Sequence, residues 1–329
     1  MRNLLVILSL GSSLALAQPL APVTVKPAWT VKDMSLLGFT ADGDAVVRPR
    51  SGSIQVLDIA SGHVKRKAGF PLEADGAWPV AFTPDLQARA WLAGDALVMM
   101  SPAGVQRASS PGLRGTWGLK FSPDGKTLAV WNVNGYVQLW NVTTGERLHT
   151  LMLTGQPANV TFHPTRPVLA VSQRAGAGGH VTLWNTTEGK KILTFDDLLG
   201  SPDPFTFLPG GELLMGGGLF LLDLDPGSGV GAARTPQYLT KYTEPCSPQV
   251  VWKNCLRGFR RGSVSADGQS IGMNIARTPQ HIPALLIYNK AGMLQKIVDT
   301  PGYVATLAPD GRHLLLGGFN GELAGASPP

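Results

Sequence analysis

An all-β fold is predicted by three properties of this chain of 329 residues. The 40 Gly and 26 Pro make up about one residue in five, and a helical protein would be destabilised by so many helix breakers. Only 15% of the residues are charged. A pattern of short apolar runs separated by turn sequences also recurs along the whole chain. Together these properties favour short strands joined by tight turns.

The recurring unit starts with an aromatic or apolar residue followed by a turn sequence. Seven copies are present, and they start at Phe39, Phe82, Phe121, Phe162, Phe207, Val264 and Leu307. The intervals between them are 43, 39, 41, 45, 57 and 43 residues. In the copy "FSPDG" at Phe121, Pro fixes φ, the Asp side chain caps nearby amides, and Gly accepts a positive φ. Such a sequence predicts a tight turn at the same place in each unit.

Each unit contains enough apolar runs for four strands. After the turn come two apolar runs, then in most copies a Gly turn, then a more polar run, as in "KTLAV", "YVQLWN", "TTG" and "ERLHTL". Four short strands per 40 to 45 residues are typical of a propeller blade, whose two faces are buried only when neighbouring blades stack. The sequence therefore predicts a seven-bladed β-propeller of four-stranded antiparallel blades. Trp140 and Trp184 occupy matching places in adjacent copies and are predicted to pack between blades.

The two ends of the chain are predicted to meet in the last blade. The seventh copy ends near Ala326 with three strands, whereas the stretch "VTVKPAWTV" at residues 23–31 precedes the first copy and has no partner of its own. Pairing that stretch beside "ELAGAS" would complete the last blade and remove two exposed sheet edges. We therefore expect the N-terminal strand to close the propeller.

Residues 119–151, "LKFSPDGKTLAVWNVNGYVQLWNVTTGERLHTL", resemble the WD-repeat propeller family, and the next copy resembles it too. The family's Gly-His pair is absent and its Trp-Asp is replaced by Trp-Asn at residues 140–141 and 184–185, so the family's buried Asp-His-Ser/Thr-Trp network is not available. Asn141 and Asn185 are interpreted as turn residues. The Pro-Asp-Gly copies are equally similar to periplasmic propellers of bacterial envelope machinery. The resemblance implies an exported, degenerate member that serves as a platform for partners, and a fold alone assigns no reaction.

The N-terminus has the pattern of a secretory signal. Arg2 precedes an apolar stretch from Leu4 to about Leu16, and Ala15-Leu16-Ala17 forms a small-x-small cleavage site. A membrane anchor is the alternative, but the stretch is shorter than the roughly 20 residues needed to span a bilayer. We predict a signal peptide at residues 1–17 and one propeller domain at residues 18–329. The mature chain is predicted to be periplasmic or secreted, without a transmembrane segment.

The charge balance favours anionic partners. Without Arg2 the chain has 27 Lys and Arg against 22 Asp and Glu, a net charge of +5. These charges are scattered, so nucleic-acid binding is not predicted, and Lys65-Arg66-Lys67 is interpreted as a solvated strand edge. A protein or an envelope polymer, including anionic ones, remains as the partner class.

The longest interval between copies contains an insertion at about residues 234–262. Long loops on a rigid scaffold are often functional. The only two cysteines, Cys246 and Cys255, lie in it, and a disulfide between them is predicted for an exported chain. Two free thiols are the alternative. A metal site is not predicted, because no His lies nearby to complete a set of ligands.

A binding surface is predicted where the inner strands start, at the mouth of the central channel. The position four residues before each repeat start is occupied by Ser35, Trp78, Trp117, Ala158, Asp203, Arg260 and Tyr303. Trp, Arg and Tyr are enriched in binding hot spots, although strand-end packing explains them equally well. Longer joining loops in the fourth and sixth copies add a basic rim, or alternatively ordinary solvated charge, at Arg174, His180, Arg277 and His281.

The motifs favour binding over catalysis. The sequence contains no HExxH, GxSxG or Gly-rich phosphate loop, and no cofactor is predicted. We therefore predict a non-catalytic exported scaffold that engages a protein or envelope polymer through its loop-rich face and channel mouth. Two alternatives stay open: a propeller hydrolase or lyase with a site in the central channel, and a carbohydrate-binding module that uses Trp78 and Trp117.

Overall fold

The computed structural model is an all-β propeller. It describes residues 21–71, 79–175, 178–198, 205–215, 220–222, 237–238, 262–277, 282–300, 303–318 and 322–327. A 3₁₀ helix at Pro111–Leu113 is the helical element within these ranges. The N-terminal stretch forms two short strands, β1 (Val23–Thr24) and β2 (Trp29–Val31).

The remaining strands follow one another in antiparallel groups along the chain. The first three groups are β3 (Met34–Phe39), β4 (Ala45–Pro49), β5 (Gln55–Leu57) and β6 (Val64–Lys67); β7 (Val80–Phe82), β8 (Arg89–Ala93), β9 (Ala96–Ser101) and β10 (Gly104–Ser109); and β11 (Thr116–Phe121), β12 (Thr127–Asn132), β13 (Tyr136–Asn141) and β14 (Arg147–Met152). The next two are β15 (Gln156–Phe162), β16 (Val168–Ala175), β17 (Gly178–Asn185) and β18 (Lys190–Leu198); and β19 (Phe205–Phe207), β20 (Leu213–Met215), β21 (Phe220–Leu222) and β22 (Gln237–Tyr238). The last two are β23 (Gly262–Val264), β24 (Ser270–Arg277), β25 (Ile282–Asn289) and β26 (Leu294–Asp299); and β27 (Tyr303–Leu307), β28 (Leu314–Gly318) and β29 (Leu323–Ala326).

The prediction of seven four-stranded blades is wrong. Within the described ranges six sheets have four strands, and the sheet of β23 to β26 has five because β1 adds to β26 in parallel. The stretch at residues 23–31, expected to join one blade as a unit, is divided between two sheets, and β2 lies antiparallel beside β29. Pro27, which lies between the two strands, has no N–H to donate and cannot continue a ladder, so the stretch breaks there.

The hydrophobic core lies between sheets rather than within any one of them. One cluster joins Leu97 and Met99 of β9 to Phe121 of β11 and Leu128 of β12. Another joins Leu315 and Leu323 in the last sheet to Ala45, Val47 and Leu57 in the first. Each sheet thus buries its apolar faces against its neighbours, as expected for stacked blades.

The two Trp residues at matching positions of adjacent repeats pack as predicted. Trp140 and Trp184 are 4% and 7% exposed. The indole of Trp184 donates to Thr182 Oγ1 at 2.9 Å, the amide of Gln173 donates to the same oxygen at 2.9 Å, and Gln173 Oε1 accepts from the Gly155 N–H at 3.1 Å. This buried network ties three consecutive segments together. This network was not predicted from the sequence, because its residues differ from those of the network known in the WD-repeat family.

The propeller has two different ends. We call the end formed by the turns between first and second strands, such as residues 83–88, 122–126 and 265–269, the turn face. The opposite end, formed by the connections into the first strands and between second and third strands, such as residues 110–115 and 133–135, is the loop face.

Candidate functional site

The backbone of β11 presents Trp117 to solvent on the loop face. Thr116 pairs with Asn132 and Gly118 with Trp131, so Trp117 is the additional residue of a β-bulge. A bulge interrupts the alternation of side chains and redirects the additional residue. Trp117 is consequently 55% exposed, which is unusual for the largest apolar side chain.

A small apolar surface surrounds this tryptophan. A shallow depression next to Trp117 is lined by Val133, Gln156, Pro157 and Ala158. Val133, in the turn between β12 and β13, is itself 37% exposed. Ala158 is the additional residue of a matching bulge in β15, because Pro157 pairs with Gln173 and Asn159 with Ser172. We call the group formed by Trp117, Val133, Pro157 and Ala158 the Trp117 patch, in which Pro157 is buried and the other three residues are at least partly exposed.

Gly118 supports the bulge from below. A Cβ at Gly118 would overlap the indole ring of Trp131, which is 8% exposed. The missing side chain therefore lets the Trp131 ring cover the backbone directly beneath Trp117. The backbone that carries Trp117 is thus held in place by the packing of Trp131.

Two weak ion pairs between exposed side chains lie on the loop face. Arg114 Nε lies 3.7 Å from Asp95 Oδ1, and Arg50 Nη1 lies 3.7 Å from Asp33 Oδ1. Pairs as exposed as these contribute only about 0 to 1 kcal/mol to stability. His180, part of the predicted rim, bonds through Nε2 to Thr154 Oγ1 at 3.0 Å. The described part of this face therefore combines weakly paired charges with an apolar patch.

The other residues predicted for the channel mouth fall into three groups. Tyr303 is partly buried and packs against the core cluster that contains Ala305, Leu307 and Leu316. The backbone of Arg174 and Arg277 is at the loop-face ends of β16 and β24. The remaining predicted residues lie outside the described ranges: Trp78, Asp203, Arg260, His281, and the cysteines Cys246 and Cys255.

A cavity of about 680 Å³ lies between the inner strands. Phe39, Phe82, Phe121, Phe162 and Phe207 from five of these strands contribute to its lining. Prolines of the turns line it as well, which places one end of the cavity at the turn face. This volume is within the range of small-molecule sites.

Lys120 is the one charged side chain among the described residues that line this cavity. It precedes Phe121 in β11, where the other repeats have Gly38, Ala81, Thr161, Thr206, Ser263 and Thr306. Burial lowers the pKa of the Lys120 ammonium below its ordinary value, because the charged form loses hydration. The sequence analysis missed this residue, although comparing the position before each repeat start would have shown that a single repeat carries a charge there.

Two further observations concern metal ions and membranes. In the described ranges, no group of three or more His, Cys, Asp and Glu is arranged to hold a metal ion. None of the helices formed by the described residues has the length and hydropathy of a membrane span.

Comparison with known proteins identifies the fold. No protein-family model matches the chain, and no curated protein matches it in sequence. Among solved structures, the β-propeller domain of Cps50 (Swd1) from Myceliophteria thermophila matches with a TM-score of 0.67 and 11% identity, over 93% of this chain and 100% of that domain. At that identity the likeness concerns the fold alone, and by its fold the chain is a β-propeller similar to that domain.

Proposed function

We propose that this protein is a non-catalytic scaffold that binds a partner protein through the Trp117 patch on its loop face. The single observation that supports this most strongly is the bulge-mounted Trp117, 55% exposed beside Val133 and Pro157. Water around such a side chain is released when a partner covers it, and Trp is among the residues enriched in binding hot spots.

The propeller fold supports the same proposal. Its rigid stacked sheets hold the loops of one face in fixed positions, and binding residues are often found on loops of a rigid scaffold. The comparison with the Swd1 domain supports the fold of such a scaffold and assigns no partner to it. The enzyme alternative would have to use the central cavity, where Lys120 is the one charged side chain among the described lining residues. The carbohydrate-binding alternative needs Trp78, which lies outside them.

The experiment compares two exposed apolar side chains on opposite ends of the propeller. Trp117→Ala removes the centre of the patch, whereas Met293→Ala truncates a side chain that is 59% exposed in the turn between β25 and β26, at the turn face. Wild type and both variants are immobilised, captured proteins are identified, and affinity for each is measured by calorimetry. We expect Trp117→Ala to weaken binding by about 30-fold or more, as for a hot spot worth 2 kcal/mol, and Met293→Ala to have no effect.

Thermal unfolding of the three proteins separates binding from folding. Truncating either exposed side chain should change the free energy of unfolding by no more than about 0.5 kcal/mol. Retention of every captured partner by Trp117→Ala at wild-type affinity would disprove the proposal.

We also propose that the chain is exported and that its partner is a component of the cell envelope. This rests on the signal-like pattern of residues 1–17 and on the predicted Cys246–Cys255 disulfide. N-terminal sequencing of the protein from the exported fraction should start at Gln18. Alkylation before and after reduction should label both cysteines only after reduction, and a full-length protein with two free thiols in the cytosol would contradict export.

A further inference from the structure

The cavity between the inner strands carries one uncompensated positive charge. Lys120 lines it, and the described residues that line it include no Asp, Glu, Arg or His. The Lys120 ammonium makes no hydrogen bond and no ion pair with the residues that the structure describes. Buried charges in proteins are normally paired, because a charge removed from water loses its hydration energy. An unpaired ammonium in this position therefore favours the uptake of an anion.

The remainder of the lining indicates the kind of anion. The walls consist largely of apolar side chains, among them Phe82, Phe121 and Phe162 from three neighbouring inner strands. Thr161 and Thr206, at the position that corresponds to Lys120 in the next two sheets, add hydroxyl groups. Apolar walls with a few polar groups are typical of sites for small organic molecules.

We propose that this cavity binds a small organic carboxylate, whose anionic head pairs with the Lys120 ammonium and whose apolar body packs against the phenylalanines. One ammonium balances one negative charge, so a monocarboxylate leaves no excess charge in the cavity. A phosphate dianion would bring a second negative charge into apolar surroundings, where it is poorly solvated. Burial lowers the pKa of Lys120, and an anionic head next to the amine would favour its charged form.

This site is separate from the Trp117 patch. Trp117 and Lys120 are three residues apart on β11, about 10 Å along an extended strand. The cavity is lined by prolines of the turns, Pro84, Pro123 and Pro164 among them, so it approaches the opposite end of the propeller. Partner binding at the Trp117 patch and carboxylate binding in the cavity can therefore be tested independently.

The test uses octanoate as the probe and octan-1-ol as its uncharged analogue, with binding to the full chain measured by calorimetry. Lys120→Met removes the charge and keeps a long apolar side chain, whereas Lys120→Arg keeps the charge. We expect wild type to bind octanoate, Lys120→Met to bind it at least about tenfold more weakly, and Lys120→Arg to stay within about threefold of wild type. Octan-1-ol should not distinguish wild type from Lys120→Met.

Controls make each outcome decisive. Trp117→Ala should bind octanoate as wild type does, which separates this site from partner binding. Equal octanoate affinity of wild type and Lys120→Met would overturn the proposal, as would no binding by folded wild type at about 10 mM octanoate. Inorganic phosphate that binds wild type more tightly than octanoate would overturn the carboxylate assignment.

Discussion

The two ends of the propeller are built on different principles. At the turn face, three repeats use the same device: the hydroxyls of Thr83, Ser122 and Ser265 donate to an Asp two residues later at 2.5 to 2.6 Å. Each hydroxyl also accepts an N–H from five residues further on, as Thr127 N donates to Ser122 Oγ at 3.0 Å. At the loop face, Trp117 and Ala158 occupy the same repeat position, and each is the additional residue of a bulge. The side chain at this position nevertheless differs, being a large aromatic ring in one repeat and a methyl group in the next.

In the fourth repeat a different side chain replaces this device. His163 stands in place of Ser, and its Nδ1 accepts the N–H groups of Thr165 and Arg166 at 3.1 and 3.0 Å. Burial lowers the pKa of His163, which favours the neutral ring that this acceptor role requires. The turn N–H groups are thus satisfied even where the side chain changes. At the loop face, by contrast, an exposed Trp117 stands where the next repeat has Ala158, and this difference underlies our proposal that the partner binds there.

The largest expected loss of stability follows from truncating the aromatic residue that starts a repeat. Phe121 is 7% exposed and packs between two sheets against Leu97, Leu128 and Trp140. Phe121→Ala should lower the free energy of unfolding by about 3 to 5 kcal/mol, because it leaves a cavity between the sheets. Urea unfolding followed by circular dichroism measures the change.

A matched truncation on the same sheet provides the control. Met152, on the outer strand β14, is 69% exposed, and Met152→Ala should change stability by no more than about 0.5 kcal/mol. A loss below about 1 kcal/mol for Phe121→Ala would show that the repeat aromatic does not hold the sheets together.

A medium loss of stability is expected at Gly118, where the Trp131 ring packs against the backbone beneath the Trp117 bulge. In Gly118→Ala the new Cβ would overlap the Trp131 ring, so the bulge must shift, at a cost of about 1 to 3 kcal/mol. Because Trp117 stands on that bulge, partner binding should fall as in Trp117→Ala. Calorimetry and urea unfolding of the same variant measure both effects.

Gly317 provides the comparison, since a Cβ there would meet no atom closer than the Val304 carbonyl oxygen at 3.8 Å. Gly317→Ala should be neutral or slightly stabilising, by up to about 1 kcal/mol, through the lower entropy of the unfolded chain. Equal stability and partner affinity for Gly118→Ala and wild type would contradict the role of the bulge.

The sequence predicts the repeated features well, because each is encoded within a few residues. Pro123-Asp124-Gly125 specifies its own turn, and the positive φ of 69° at Gly125 is the one such a turn needs. Asn141 also acts as the predicted turn residue, accepting from the N–H groups of Thr143 and Thr144 at 2.9 and 3.0 Å. The Trp140 and Trp184 packing positions follow from the same short-range pattern.

Features that depend on distant segments were not predictable in this way. Counting back from each repeat start made Trp117 and Tyr303 equivalent, yet one stands on a bulge and the other packs against the core. A bulge is a property of strand pairing, which the alternation of one strand does not encode. The parallel pairing of β1 with β26 and the unpaired charge of Lys120 likewise depend on which segments become neighbours.

The smallest expected effect is the pH dependence of the turn device. Hydrogen bonds from the Ser265 hydroxyl and the Gln269 N–H lower the pKa of Asp267 below its ordinary value of 3.8, and the Thr83 hydroxyl and Gln87 N–H do the same for Asp85. The folded state therefore favours the ionised carboxylates. Their contribution is fully present above pH 3.8 and is lost as the pH falls through the lower folded-state pKa.

Asp267→Asn should accordingly lower the free energy of unfolding by about 1 kcal/mol or less at pH 7, and its difference from wild type should shrink in acid below the ordinary pKa. Asp42 is the matched control, because "TADG" of the first repeat corresponds to "SADG" of the sixth and the Asp42 carboxylate accepts no hydrogen bond from the described residues. Urea unfolding of both variants between pH 7 and about pH 3 measures the difference. If Asp42→Asn and Asp267→Asn lost equal stability with the same pH dependence, the hydroxyl–carboxylate device would not be what stabilises the turn face.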